Sequence, residues 1–159
     1  MTSSSGRAAN DPTNRASDSA TDAGSTPLEV ITSYFQAIGA GDFPAAIAHF
    51  SDDVVGFVPG RSDLAGEYRG RDALTGYLNT VIDRVRGDVR VERIDTLVGR
   101  DHVALMVVEH LGSGPHELVI HRTNVYRIAG GEIVEIRIFE GDQYLVDEHL
   151  GDGSGEMGG

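Results

Sequence analysis

The sequence predicts an α+β domain in which three helices near the N-terminal end pack on one curved antiparallel sheet. Three observations predict it. Apolar residues recur at helical spacing from Leu28 to Val85, the period falls to two from Val89 to Phe139, and the separators between the later runs are short. Separators of that length force antiparallel hairpins.

Thr26-Pro27-Leu28-Glu29 has the form of a capping box with proline at the first helical position, so a helix starts there. Leu28, Ile31, Phe35 and Ile38 form its apolar stripe, and Gly39 and Gly41 end it. Asp42 can cap a second helix over Phe43 to Phe50, whose alanines permit close packing on the first. Asp53 to Pro59 reads as a short strand, followed by a loop. A third helix follows Gly70-Arg71-Asp72; Leu74, Tyr77, Leu78, Val81, Ile82 and Val85 make its apolar face, and Gly87 closes it. Strands are expected at Val89 to Val98, His102 to Leu111, Glu117 to Ile128 and Glu132 to Phe139. The second of these is apolar nearly throughout, which predicts burial on both faces.

The whole chain of 159 residues suits one domain. Residues 1–25 are rich in small polar side chains and 151–159 in glycine, so both are expected to be disordered tails around a folded unit at 26–150. The formal charge of −12, with Lys and Arg scattered, argues against nucleic acid as a partner. No apolar run reaches the length of a membrane span, and the N-terminus has no apolar core of a secretory signal; no membrane partner and a cytoplasmic location are expected. Cysteine is absent, which excludes disulfides and thiolate chemistry. The six histidines show no ligand spacing such as HExxH, so no metal site and no cofactor are expected.

Three stretches now carry a resemblance. SYFQAIGAGDFPAAIAHFSDDVV, PGRSDLAGEYRGRDAL and VYRIAGGEIVEIRIFEGDQYLVDEHL, in this order, resemble the SnoaL-like branch of the nuclear transport factor 2-like superfamily, over roughly Pro27 to Leu150. The resemblance implies a cone-shaped α+β barrel around a pocket for an apolar small molecule. The superfamily includes ketosteroid isomerases, polyketide cyclases, dehydratases and limonene epoxide hydrolases, besides members without catalysis. Similarity to the ketosteroid isomerases implies a hydrogen-bonding tyrosine at Tyr34 and an oxyanion donor at Asn124, and it places their aspartate base at Val58, where this chain is apolar. It puts Val58 and Phe57 in the pocket wall with Tyr126. The paired aspartates of a limonene epoxide hydrolase find no match.

The residues themselves leave several faces open. Tyr34 lies about 100° from the apolar stripe of its helix, so it can face a cavity or pack as a core tyrosine. Ile120, Arg122, Asn124 and Tyr126 share one face of their strand, opposite His121, Thr123, Val125 and Arg127, and polarity does not choose between the two. The resemblance favours Arg122 and Asn124 inward, where Arg122 would hold a carboxylate or polarise a carbonyl. Glu135 and Arg137 share a face of the last strand. Solvent is the ordinary place for such a pair; turned inward, Glu135 is a candidate base and Arg137 a substrate contact. His121 and His110 are candidate proton carriers on the same condition. In similar proteins the loop with Arg61, Asp63 and Tyr68 covers the pocket mouth.

Two functions follow. The first is a cofactor-independent isomerase or cyclase for a hydrophobic carbonyl or polyketide-like substrate, with Tyr34 and Asn124 holding the oxygen and Glu135 or His121 moving the proton. The second is a non-catalytic ligand-binding or assembly module. A homodimer is expected, since an apolar outer sheet face needs cover.

Overall fold

Helix α1 (Pro27–Gly39) opens with both bonds of the capping box: the Glu29 amide donates to Thr26 Oγ1 at 3.2 Å, and the Thr26 amide to Glu29 Oε2 at 2.8 Å. The structure is a computed structural model and describes residues 24–150, so the tails expected at both ends fall almost wholly outside the described residues. The buried side of α1 is Val30, Ile31 and Tyr34, while Leu28 is exposed. The helix is therefore turned toward its tyrosine.

Helix α2 (Phe43–Ile47), capped by the Asp42 carboxylate on the Ala45 amide, is shorter than its alanines suggest. Strand β1 (Phe50–Val58) starts at once, because Phe50 is wholly buried against Tyr34 and the His49 carbonyl accepts from the Ile133 amide at 2.8 Å. The loop after β1 contains a further short strand, β2 (Gly66–Arg69), paired antiparallel to β1. Helix α3 (Arg71–Arg84) comes next, and Gly56 on β1 lets it approach: a Cβ there would lie 2.7 Å from Leu74 Cδ1.

Strands β3 (Val89–Val98), β4 (His102–Leu111), β5 (Leu118–Ala129) and β6 (Glu132–Glu140) form the expected meander. Gly130 and Gly131 both take positive φ (59° and 77°), which a two-residue turn matching strand twist requires. A fourth helix, α4 (Gln143–Leu150), ends the described chain. The six strands run β2-β1-β6-β5-β4-β3, antiparallel except for β1 beside β6, and the sheet is open. Helices cover its concave face. No helix among the described residues is long and apolar enough to cross a membrane.

Period-two alternation sorts the sheet. On β4, Val103, Leu105 and Val107 are buried under the helices. The opposite face of β4 departs from the expectation of burial on both sides: Val108 is buried, but Met106 is 40% exposed.

Candidate active site

Between the concave side of the sheet and the three N-terminal helices lies a partly open cavity of about 120 Å³. Its wall is largely aliphatic and aromatic, from Ile38 on α1 and Leu78 and Val81 on α3 to Val91, Ile136 and Ile138 on the sheet. Into this wall β5 sends Arg122, Asn124 and Tyr126, which the β4–β5 register sets opposite Val107, Leu105 and Val103. The inward face of β5 is thus the even-numbered one. Pairing with the buried row Val103, Leu105 and Val107 of β4 decides it, where polarity alone did not.

Tyr34 reaches the same cavity from α1, its ring 5.8 Å from that of Tyr126. Burial pushes the hydroxyls of Tyr34, Tyr77 and Tyr126 well above the ordinary tyrosine range, and neighbouring Glu109 adds to it for each. All three stay protonated and able to donate at neutral pH. The Asn124 side chain hydrogen-bonds the Tyr126 hydroxyl, which opposes part of that shift. Asn124 Oδ1 is buried with no hydrogen-bond partner among the described residues. Buried amide oxygens are nearly always paired, with protein or with ordered water, so this atom has an acceptor site left to fill.

Arg122 is committed elsewhere than expected. Its Nη1 donates to Glu109 Oε2 at 2.9 Å, its Nη2 to Glu140 Oε1 at 2.6 Å and its Nε to Glu140 Oε2 at 3.2 Å. These contacts bind the protein's own carboxylates rather than leaving a fork open to a ligand. Burial works against the guanidinium charge, but the two glutamates overcome it and hold Arg122 above its ordinary value. Burial pushes Glu140 up, with Arg122 pulling the other way. Glu109 lies at the cavity wall and brings a carboxylate into it.

Neither Glu109 nor Glu140 was singled out from sequence, although a signal existed. Glu109 is the one acid in the odd-numbered row Val103, Leu105, Val107, Glu109, Leu111 of an otherwise apolar strand. Once that row is inward, the acid is inward.

The other candidates lie outside the cavity. Glu135 and Arg137 are on the convex face of β6, where Arg137 Nε donates to Glu135 Oε1 at 2.7 Å and its guanidinium sits 3.9 Å above the Phe57 ring. Their strand turns Ile136 and Ile138 to the cavity instead, so Glu135 is corrected from candidate base to surface ion-pair partner, and Arg137 from substrate contact to a cover for Phe57. Phe57 borders the cavity while its ring is under Arg137; Val58 is in the wall proper. His121 is exposed on the convex face of β5, away from any proton it was expected to move. His110, also on the convex side, lies 3.2 Å from Glu117. The loop with Arg61, Asp63 and Tyr68 does not line the cavity. The Arg61 amide donates to the Asp147 carboxylate of α4, Asp63 pairs with Arg84, and Tyr68 donates to the Leu64 carbonyl.

With this geometry in hand, comparison with known proteins is informative. The sequence model of the SnoaL-like domain matches residues 31–136. An uncharacterized protein of Mycobacterium tuberculosis, Rv0034, is 28% identical over 116 residues, which span 72% of this chain and 88% of that protein. Among solved structures, a protein of unknown function with a cystatin-like fold from Xanthomonas campestris superposes with a TM-score of 0.74 at 26% identity, covering 80% of this chain and 99% of that one. The Mycobacterium tuberculosis protein Rv0760c, solved in complex with estradiol-17beta-hemisuccinate, gives a TM-score of 0.60 at 22% identity over 72% of this chain and 94% of that one. The last likeness is one of fold.

Proposed function

Because the chain belongs to the SnoaL-like domain family, we propose that its cavity takes a small hydrophobic molecule and carries out cofactor-independent acid–base chemistry of the isomerase or cyclase type on it. The observation that carries this reading is the meeting, within one apolar cavity, of an unpartnered Asn124 oxygen, a protonated Tyr34 hydroxyl and the Glu109 carboxylate. Glu109 takes the role first given to Glu135 and His121.

The chemistry balances with these groups alone. The Glu109 carboxylate accepts a proton from a carbon beside a carbonyl, the C–H electron pair becomes a C=C bond, and the carbonyl π pair moves to oxygen. Tyr34 donates a hydrogen bond to that oxygen, and the Glu109 proton returns at the same or a conjugated carbon. Arg122 aims Glu109 through the hydrogen bond from its Nη1.

The test follows deuterium uptake from D₂O into one-ring cyclic ketones and hydroxyketones by NMR. Wild type is expected to exchange faster than buffer, Glu109→Gln to lose about 10²-fold or more, and Tyr34→Phe to lose less. No exchange above buffer on any ketone that binds would leave the second reading, a binding module. That reading is favoured by Val58 at the position where the ketosteroid isomerases have their base, and by Arg122 pairing with Glu109.

A second copy of the chain is proposed to cover the convex face of the sheet. Its support is the exposure there of Leu97, Met106, Val119 and Phe139.

A further inference from the structure

We propose that the ligand is a neutral molecule of about one ring that donates a hydroxyl hydrogen to Asn124 Oδ1. This rests on the cavity reading above and narrows it. Across the sheet, Asn124 stands between Leu105 on β4 and Ile138 on β6, neither of which has a donor. Along its own strand the inward neighbours are Arg122, whose hydrogen bonds go to Glu109 and Glu140, and Tyr126, already joined to the Asn124 side chain. Each of these strand neighbours of Asn124 is therefore apolar or occupied. A buried acceptor in that position is completed by a donor brought from outside.

Charge and size narrow the class further. Arg122 lies between two carboxylates, so this wall repels an anion rather than attracting one. This reverses the expectation that Arg122 would hold a substrate carboxylate. A cavity of about 120 Å³ is on the scale of the roughly 150 Å³ apolar cavity that admits benzene. A phenol or a monocyclic alcohol fits within that volume, and a four-ring steroid exceeds it.

Isothermal titration calorimetry on the full chain tests the proposal with four probes of one shape: 4-methylphenol, 4-methylanisole, toluene and 4-methylbenzoate. The expected result is 4-methylphenol about tenfold tighter than the ether and toluene, with the benzoate weakest. In Asn124→Leu the phenol's advantage should fall to about twofold while toluene is retained. Should that variant fail to fold, cyclohexanol against cyclohexanone on wild type asks the same question, with the alcohol expected to bind tighter. Equal binding of phenol and ether, tighter cyclohexanone, or tightest benzoate overturns the donor assignment and leaves the cavity reading standing. Binding by none of these molecules overturns both.

Discussion

The two faces of β4, β5 and β6 alternate residue by residue yet keep polar groups in different ways. On the concave face, Arg122 is 8% exposed and each of its charged contacts is another buried or nearly buried side chain. On the convex face, Arg137 and Arg127 pair with Glu135 at 2.7 and 3.9 Å while the two arginines stay nearly half exposed. Surface pairs of the second kind contribute about 0–1 kcal/mol, whereas a charge inside must bring its partners with it. A carboxylate on the concave face therefore arrives as a member of a set, and that set joins β4, β5 and β6.

The largest expected effect breaks that set. Arg122→Met should lower stability by about 3–5 kcal/mol, since it leaves two buried carboxylates without their cation. Urea denaturation at pH 7 measures it. Adding Glu109→Gln and Glu140→Gln to Arg122→Met should recover most of the loss. His121→Ala, on the convex face of the same strand, should stay within about 0.5 kcal/mol. Burial raises the Glu140 carboxyl and Arg122 opposes it, so without Arg122 the deficit should shrink as the pH falls and Glu140 takes up its proton. A deficit for Arg122→Met no larger than that for His121→Ala would remove the distinction between the faces.

Alkali sharpens the same contrast. Burial first of all, and Glu109 besides, raises Tyr34, Tyr77 and Tyr126 in the folded protein. Groups with a raised folded pKa give stability that is complete below the unfolded value and lost as the pH climbs past it. For these tyrosines the loss begins near pH 10 and amounts to about 1.4 kcal/mol per pH unit for each. Denaturant midpoints from pH 9 to 11, read beside tyrosinate absorbance, should show these tyrosines ionising together with unfolding. Their ionisation in a chain with native circular dichroism would mean that the concave face admits water.

Those effects also mark where the sequence was readable. The caps at Thr26 and Asp42, the Gly130-Gly131 turn and the strands of the meander each depend on a few adjacent residues, and the structure has them. Strand β2 and helix α4 were missed because both are held from outside. β2 pairs with β1, and Asp147 of α4 accepts from the Arg61 amide, with Gly60 at φ 110° leaving room for it. Resemblance turned Tyr34, Asn124 and Tyr126 toward the cavity that they line, while Glu109 and Glu140 escaped because their pairing with Arg122 spans three strands. Glu135 and His121 were chosen for chemical type. Type says nothing about face until the pairing of a neighbouring strand is known.

The smallest expected change in chain stability belongs to the convex face, where the readout is assembly. The β3–β6 register aligns Met106, Thr123 and Phe139 in one row and Leu97, Ala104, Val125 and Arg137 in the next. Leu97 and Phe139 are each 55% exposed, so these rows present an apolar strip with charge at its border. A two-fold partner would lay the same strip across it, each copy supplying the apolar area the other lacks. A stable pairing needs about 1,000 Å² or more in total, which one sheet face per copy can provide. Light scattering at micromolar concentration should therefore give twice the chain mass for wild type and the single chain mass for Met106→Glu with Phe139→Glu. The two acids should leave the ligand preferences of the cavity intact, because their side chains lie on the side of the sheet that does not line it. A wild type of single chain mass would refute the pairing and leave the convex face as plain surface. A double variant that lost ligand binding along with its partner would show instead that the two faces are not independent.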